Sequence, residues 1–213
     1  MLLVSPEIQP INPSHIFPAN DGLSQLLQNC PYLQIFGVKK HRATRLHYDF
    51  RLAWSGVLLS WAVPLGPSYN PYFSREAIEV EDHRKKYLRF EGVYPKGKPG
   101  AGVTMLWDRG FWIPMPGYLD VDYALRRGEL QFVLQGEKLR GIWTLRRTAD
   151  KNFAGSPIWT LTKEHDSYAR GPEDIEVVQE QPNSVLKGWS LEEIDLRWRE
   201  PRKSKPEPTL FEM

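Results

Sequence analysis

The stretch LHYDFRL, residues 46–52, alternates apolar and polar positions: Leu46, Tyr48, Phe50 and Leu52 on one side, His47, Asp49 and Arg51 on the other. A period of two is the signature of a β-strand with one buried face. Runs of similar length recur as IFGVKKH, VLLSWAVP, EAIEVEDH, YLRFEGVYP, GVTMLWDRG, GFWIPM, ELQFVLQGEK, GIWTLRR and PIWTLTKE. They are aromatic and β-branched, with Gly, Pro, Asp or Asn at the joints, which predicts an all-β fold closed as an antiparallel barrel or stacked as a sandwich. WDRGFW and QGEKLRG read as hairpin connections. Helix is scarce, and DVDYALRRG predicts one short helix ending at Gly128. In EAIEVEDH, strict alternation puts Ile78 and Val80 on one face and Glu79, Glu81 and His83 on the other.

The pattern also divides the chain. Residues 1–34, with several prolines and little periodicity, read as an irregular N-terminal arm with one helical turn in GLSQLLQNC. Residues 35–170 carry the strands and read as the barrel domain. After Arg170 the composition turns to Pro, Glu, Arg and Lys, so residues 171–213 read as a C-terminal tail. One helix is expected there, capped by Ser190 with Glu193 completing a capping box.

A hydrophobic content of 41% and a charged content of 25% over 213 residues suit one well-cored domain and exclude wholesale disorder. The net charge of +2 supports no nucleic-acid claim by itself. Its distribution says more: Gly37 to Gly110 holds thirteen Lys or Arg against seven Asp or Glu, whereas the chain from Gly171 onward holds six against ten. The basic segment contains three of the five histidines, at 41, 47 and 83, which fits an anionic substrate. The single cysteine, Cys30, rules out an internal disulfide and fits a reducing compartment. MLLVSPEIQP has no basic n-region and reads as no signal peptide, and no window approaches 18 apolar residues.

The chemistry begins at KKHRATRLHYDFRL, residues 39–52. Side chains two apart on a strand are roughly 6.7 Å apart, so His47 and Asp49 can converge on one ion while Arg51 stands a step further along. His41 must fold back to join them. Two imidazoles and a carboxylate make a divalent-metal set with positions open for water or substrate, and the adjacent guanidinium suits phosphate or carboxylate. The competing reading is an ordinary polar strand face turned to solvent. His83 alone is most simply a surface histidine, but two strands that each carry His, acid and Arg, the second with Arg75 just before it, make coincidence harder to sustain. PKGKPGAG, residues 95–102, is either a glycine-rich turn or a basic edge on which Lys96 and Lys98 meet a DNA backbone, with Lys39 read as a further surface cation for DNA. Trp107, Trp112, Trp143 and Trp159 are read as core, although one exposed ring would be able to stack on a terminal base.

KKHRATRLHYDFRL, GVLLSWAVPLGPS, EVEDHRKKYLRFEGVYPKGKPGAG, WDRG and GELQFVLQGEKLRGIWTL closely resemble the 3′-phosphoesterase domain of bacterial and archaeal DNA ligase D and its stand-alone relatives. The resemblance covers about residues 36–170, and NSVLKGWSLEEI resembles the segment that follows this domain in ligase D chains. It implies a compact antiparallel β-barrel with few short helices and a site in a crescent-shaped groove. It implies manganese, or another divalent ion such as cobalt or zinc, on His41, His47 and Asp49. Arg51 and His83 match the phosphate-binding positions, and Arg75, Glu81 and Tyr87 match further active-site positions. The implied activity removes 3′-terminal ribonucleotides and 3′-phosphates from primer-template ends, leaving a 3′-OH for polymerase or ligase. The implied setting is prokaryotic, cytoplasmic and nucleoid-associated, acting alone or in trans with ligase, polymerase or Ku-type repair proteins and with no membrane.

Two positions depart from the family pattern. Lys39 stands where the family usually has Gln, and Leu65 stands where it usually has Lys. Losing a cation at 65 leaves Lys39 or Lys98 to substitute, or weakens activity. Two rival functions follow from the same residues. A DNA-end-binding module with weakened or lost turnover is favoured by Leu65. A non-haem iron oxygenase would use His47, Asp49 and His83 as a facial triad, but leaves His41 without a role.

Overall fold

The computed structural model describes residues 32–98 and 100–199. The turn expected in GLSQLLQNC lies outside the described residues, as do residues 200–213. Nine strands are described: β1 (Gln34–Arg42), β2 (Leu46–Trp54), β3 (Val57–Val63), β4 (Arg75–Arg84), β5 (Gly92–Tyr94), β6 (Gly102–Pro114), β7 (Glu129–Gly136), β8 (Arg140–Lys151) and β9 (Pro157–Lys163). A 3-10 helix spans Lys85–Arg89, and three α-helices follow: α1 (Val121–Arg127), α2 (Val177–Glu180) and α3 (Leu191–Arg199).

Eight strands close into an antiparallel barrel in the order β1-β2-β3-β4-β9-β8-β7-β6, and β6 returns to pair with β1. β5 pairs with the first half of β6, outside the closed ring. The interior is aromatic. Trp107, Trp112, Trp143, Trp159, Phe36, Phe50 and Phe132 are all almost completely buried, so all four tryptophans named above belong to the core. Their rings meet edge-on or tilted, as Tyr48 does on Trp107 at 5.4 Å between centroids, which exploits the ring quadrupoles as well as burial.

Three local expectations differ from what forms. WDRGFW is not a turn: β6 runs through it for 13 residues, because Gly110 is extended and packs against Gly136 of β7. A Cβ on Gly110 would lie 2.6 Å from the Gly136 Cα, so that glycine serves close strand approach. YLRFEGVYP is not one strand but the end of the 3-10 helix followed by the three-residue β5. The alternation in β4 is broken by a bulge, described below.

The hairpin at QGEKLRG joins β7 to β8, and Asp108 holds it from inside the barrel by accepting the backbone N–H groups of Lys138 at 2.9 Å and Leu139 at 2.8 Å. Helix α1 ends at Gly128, whose φ of 90° is the left-handed C-cap conformation. Residues 177–194 pack on the barrel, since Val177, Leu191 and Ile194 are buried members of its main core cluster. At the start of α3 the Ser190 N–H donates to Glu193 Oε2 at 2.8 Å and the Glu193 N–H donates to Ser190 Oγ at 3.2 Å, a reciprocal capping box.

Candidate metal and phosphate site

The candidate site lies on the outer wall of the barrel, across β1, β2, β3 and β4. On β2 the inward positions Tyr48, Phe50 and Leu52 fill the core, which leaves His47, Asp49 and Arg51 outside. His41 needs no fold-back to reach them: it lies on β1 directly opposite His47 in the register. The two rings are 4.9 Å apart between centroids. One donor atom from each of His41, His47 and Asp49 falls within 4.8 Å of the others, and this is the one His/Cys/Asp/Glu cluster of that kind among the described residues.

The surroundings orient these ligands. His47 Nδ1 donates to the Arg45 carbonyl at 3.1 Å, which leaves Nε2 facing Asp49 Oδ1 at 3.5 Å. His41 is 7% exposed, and its buried Nε2 has no partner in the protein. A buried imidazole nitrogen without a partner costs free energy unless something fills its lone pair. A divalent cation does this, and the donor set of two imidazoles and one carboxylate fits one. Burial pushes the His41 imidazole below its ordinary range. The Asp49 contact raises His47. Burial alone would raise the Asp49 carboxyl, but the His47 contact and the Arg51 charge outweigh it and hold it at about 2. The carboxylate is therefore ionised at any working pH.

Arg51 stands beside this cluster. Its side chain is 7% exposed, and Nη2 donates to Asp49 Oδ2 at 3.2 Å, which fixes the guanidinium plane. Its Nε and Nη1 are buried without partners. Two directed N–H groups held next to such a cluster can match two oxygens of a phosphoryl group.

His83 arrives on this face through the bulge. Asp49 pairs with Ala62 and Arg51 with Ser60 on β3; Ala62 pairs with Ile78, Ser60 with Val80, and Leu58 with His83 on β4. β4 therefore spends three residues between Val80 and His83 where β3 spends two, and the extra residue turns His83 onto the face of Ile78, Val80 and Arg51. Glu79 points instead to the core, where it accepts the Trp159 indole N–H at 2.6 Å, and Glu81 is exposed within the bulge. The His83 ring stands edge-on to Tyr87 at 5.5 Å and 89°. Burial and then the Arg51 charge push the His83 imidazole below its ordinary range.

The other expected residues do not join the cluster, although Lys39 lies on β1 directly opposite Asp49. Arg75 opens β4, eight residues or roughly 26 Å along the strand from His83, and its Nη2 is bound to Glu176 at 2.5 Å. Lys39 is 3% exposed and is no surface cation for DNA. Its ammonium donates to the carbonyl oxygens of Phe90 and Tyr87 and so ties the end of the 3-10 helix to β1. Lys96 and Lys98 are exposed in the turn after β5, and Leu65 is 68% exposed. One neighbour escaped the sequence reading: Tyr94 of β5 feels the charges of Arg51 and Asp49, and burial raises its phenol. Nothing in the spacing of FEGVYP signals that role, because β5 is short and reaches the site only through β6.

Sequence comparison decides what this geometry belongs to. The family profile of the DNA Ligase D 3′-phosphoesterase domain matches residues 39–147. The chain belongs to this family. It is 45% identical over 179 residues to the multifunctional non-homologous end joining protein LigD of Pseudomonas aeruginosa, a match covering 84% of the chain and 20% of that protein. The LigD of Mycolicibacterium smegmatis is 36% identical over 156 residues, covering 71% of the chain and 20% of the relative. The LigD of Mycobacterium tuberculosis is 40% identical over 113 residues, 53% of the chain and 14% of the relative. The chain thus spans at most about a fifth of the length of these relatives. The matched segment contains His41, His47, Asp49, Arg51, His83, Tyr87 and Tyr94. No described helix is long and apolar enough to cross a membrane.

Proposed function

We propose that this domain is a divalent-metal-dependent phosphoesterase that processes DNA 3′ ends, removing 3′-terminal ribonucleotides and 3′-phosphates so that a 3′-OH remains for repair. The observation that carries this reading is the Arg51 guanidinium, buried with two N–H groups unpaired beside the His41–His47–Asp49 cluster. His41, His47 and Asp49 would hold the ion, with manganese the metal proposed. When bound, the metal supplies Lewis acidity and lowers the pKa of a water that can act as nucleophile. Arg51 holds the phosphoryl oxygens through Nε and Nη1 and neutralises the charge that gathers on them. His83 lies on the same outer face one register step beyond Arg51, with Tyr87 against its ring, and either binds phosphate or passes a proton to the departing oxygen. Arg75 and Glu81 do not line this face and are assigned no direct contact.

The relatives are named as multifunctional non-homologous end joining proteins. The proposed setting is accordingly DNA end joining, with primer-template ends as substrate and ligase, polymerase or Ku-type proteins acting alongside. The oxygenase alternative loses ground because the cluster contains His41 rather than His83. An end-binding role with reduced turnover has one observation in its favour: Leu65 is exposed where a family lysine would stand, and Lys39 is engaged by carbonyl groups and does not replace it.

The test is a 5′-labelled primer-template bearing a 3′-ribonucleotide or a 3′-phosphate, incubated with and without manganese. Metal-dependent shortening or phosphate release is expected, and His47→Ala abolishes it. Full turnover by His47→Ala would remove that residue from the site, and tight end binding with no product would favour the binding role.

A further inference from the structure

The hairpin between β8 and β9 has no part in the site just described, yet its position is defined by the sheet. β9 pairs with β4 only over its first half, from Arg75 opposite Leu161 to Ile78 opposite Ile158. Antiparallel pairing means that the chain before Ile158 heads toward the end of β4 that carries His83. Pairing between the two strands stops at Ile78, and the hairpin, in which Lys151 is opposite Pro157, projects beyond it in that direction.

The tip is built to present an aromatic ring. Phe153 is fully exposed, at 114% of its reference area, more than any other large apolar side chain described. The turn beneath it is rigid: Asn152 Oδ1 accepts the N–H groups of Ala154 at 3.0 Å and Ser156 at 2.8 Å, and the Asn152 N–H donates to the Ser156 carbonyl at 3.0 Å. Gly155 completes the turn at a φ of 84°. Asn152 and Gly155 supply the turn, so Phe153 at its apex takes no part in the turn chemistry.

The base of the hairpin is cationic. Arg146, Arg147 and Lys151 on β8 and Arg126 and Arg127 at the end of α1 are all exposed, and Arg146 Nε donates to Glu129 Oε2 at 2.9 Å. Arg147 links the two elements by donating to the Arg126 carbonyl at 2.7 Å. A rigid ring flanked by guanidinium and ammonium groups is the combination that holds single-stranded nucleic acid, with stacking for bases and cations for phosphates.

We propose that the β8–β9 hairpin is a nucleic-acid contact arm: Phe153 stacks on an unpaired base near the 3′ end held at His83, and Arg146 and Lys151 contact the adjoining phosphates. It rests on the reading of the domain as a DNA 3′-end phosphoesterase.

Two measurements separate the arm from that reading. Anisotropy of a fluorescent primer-template with a 3′-phosphate, in the absence of divalent metal, reads binding without turnover. Turnover in manganese is compared between the same primer-template and a nucleoside 3′-phosphate too small to reach the hairpin. Phe153→Ala should weaken primer-template binding at least about fivefold and raise its KM equally, with kcat and nucleoside 3′-phosphate turnover unchanged. Phe153→Trp should restore affinity and Phe153→Leu should not. Lys151→Ala should lower the slope of log affinity against log salt by about one. Unchanged affinity in Phe153→Ala, or full recovery by Phe153→Leu, overturns the stacking role. If the unaltered protein turns over neither substrate, the phosphoesterase reading fails, while the anisotropy comparison still decides the arm.

Discussion

Gly37 lies directly beneath Leu88: a Cβ on this glycine would stand 2.7 Å from Leu88 Cδ2 and 3.4 Å from Leu106 Cδ1. Gly37 is also the register partner of Arg51. Leu88, Ala53, Leu58 and Ile35 form a small apolar cluster on the outside of the barrel, separate from the main core. The 3-10 helix that carries Tyr87 is thus seated on the sheet by one leucine over one glycine. Gly37→Val should lift that helix from the wall and cost about 1–3 kcal/mol as an overpacking change. The expected result is lower kcat with metal affinity near that of the unaltered protein, read by calorimetric titration of manganese alongside turnover.

Lys39 secures the same helix from the other side through the Phe90 and Tyr87 carbonyls, with its ammonium also 5.6 Å from the Phe90 ring centroid. Lys39→Met fills similar space and leaves those carbonyls without a donor, at a cost of about 1–3 kcal/mol. Faster amide exchange across residues 86–91, with exchange in β7 and β8 unchanged, is the expected outcome. Equal exchange in both regions would show that the lysine does not hold the helix.

Arg51 should not tolerate a change to lysine. An ammonium keeps the charge but offers no planar fork, so it cannot hold Asp49 and two phosphoryl oxygens together. Arg51→Lys is expected to weaken inhibition by inorganic phosphate by about one to two orders of magnitude, corresponding to loss of a charged hydrogen bond. A phosphate inhibition series at fixed manganese gives this directly.

Far from the site, Lys163 is buried and donates to the Ile142 and Glu164 carbonyls while pairing with Asp166 Oδ2 at 2.5 Å. Burial opposes ionisation of Asp166, but the Lys163 contact and the Ile142 and Tyr168 amides outweigh it and hold its pKa below the ordinary value of 3.8. A folded pKa below the unfolded one means that this stabilisation is present above about pH 4 and is lost as pH falls through the lowered value. Thermal melts between pH 6 and pH 2.5 should therefore show a steeper loss in the unaltered protein than in Asp166→Asn. The substitution itself should already lower stability at pH 6 by leaving the buried ammonium unpaired.

Much of the site was legible in the chain because it is written in the simplest code a strand has. LHYDFRL alternates without interruption, so the shared face of His47, Asp49 and Arg51 followed from period alone. His41 was expected to fold back, because the three-residue link that sets it directly opposite His47 on a neighbouring strand has no periodic signal of its own. The antiparallel all-β fold followed from the succession of short aromatic runs, which left barrel and sandwich both open until the family resemblance pointed to a barrel. His83 was placed with the wrong companions because a bulge adds one residue to one strand and reverses alternation beyond it, and no residue type in EVEDH announces that. Lys39 looked like a surface cation, since the covering segment at residues 85–94 belongs to no periodic pattern. WDRGFW looked like a turn because a glycine serving close strand contact and a glycine serving reversal are the same letter.

β1 is bonded along both edges, to β2 on one side and to β6 on the other, and it carries His41 between the two. A strand so enclosed has no loose margin along which to creep. Any force that pulls His41 away from its neighbours must shear ladders on both flanks together, so the spacing of the candidate metal ligands inherits the stiffness of the whole cylinder rather than that of a loop.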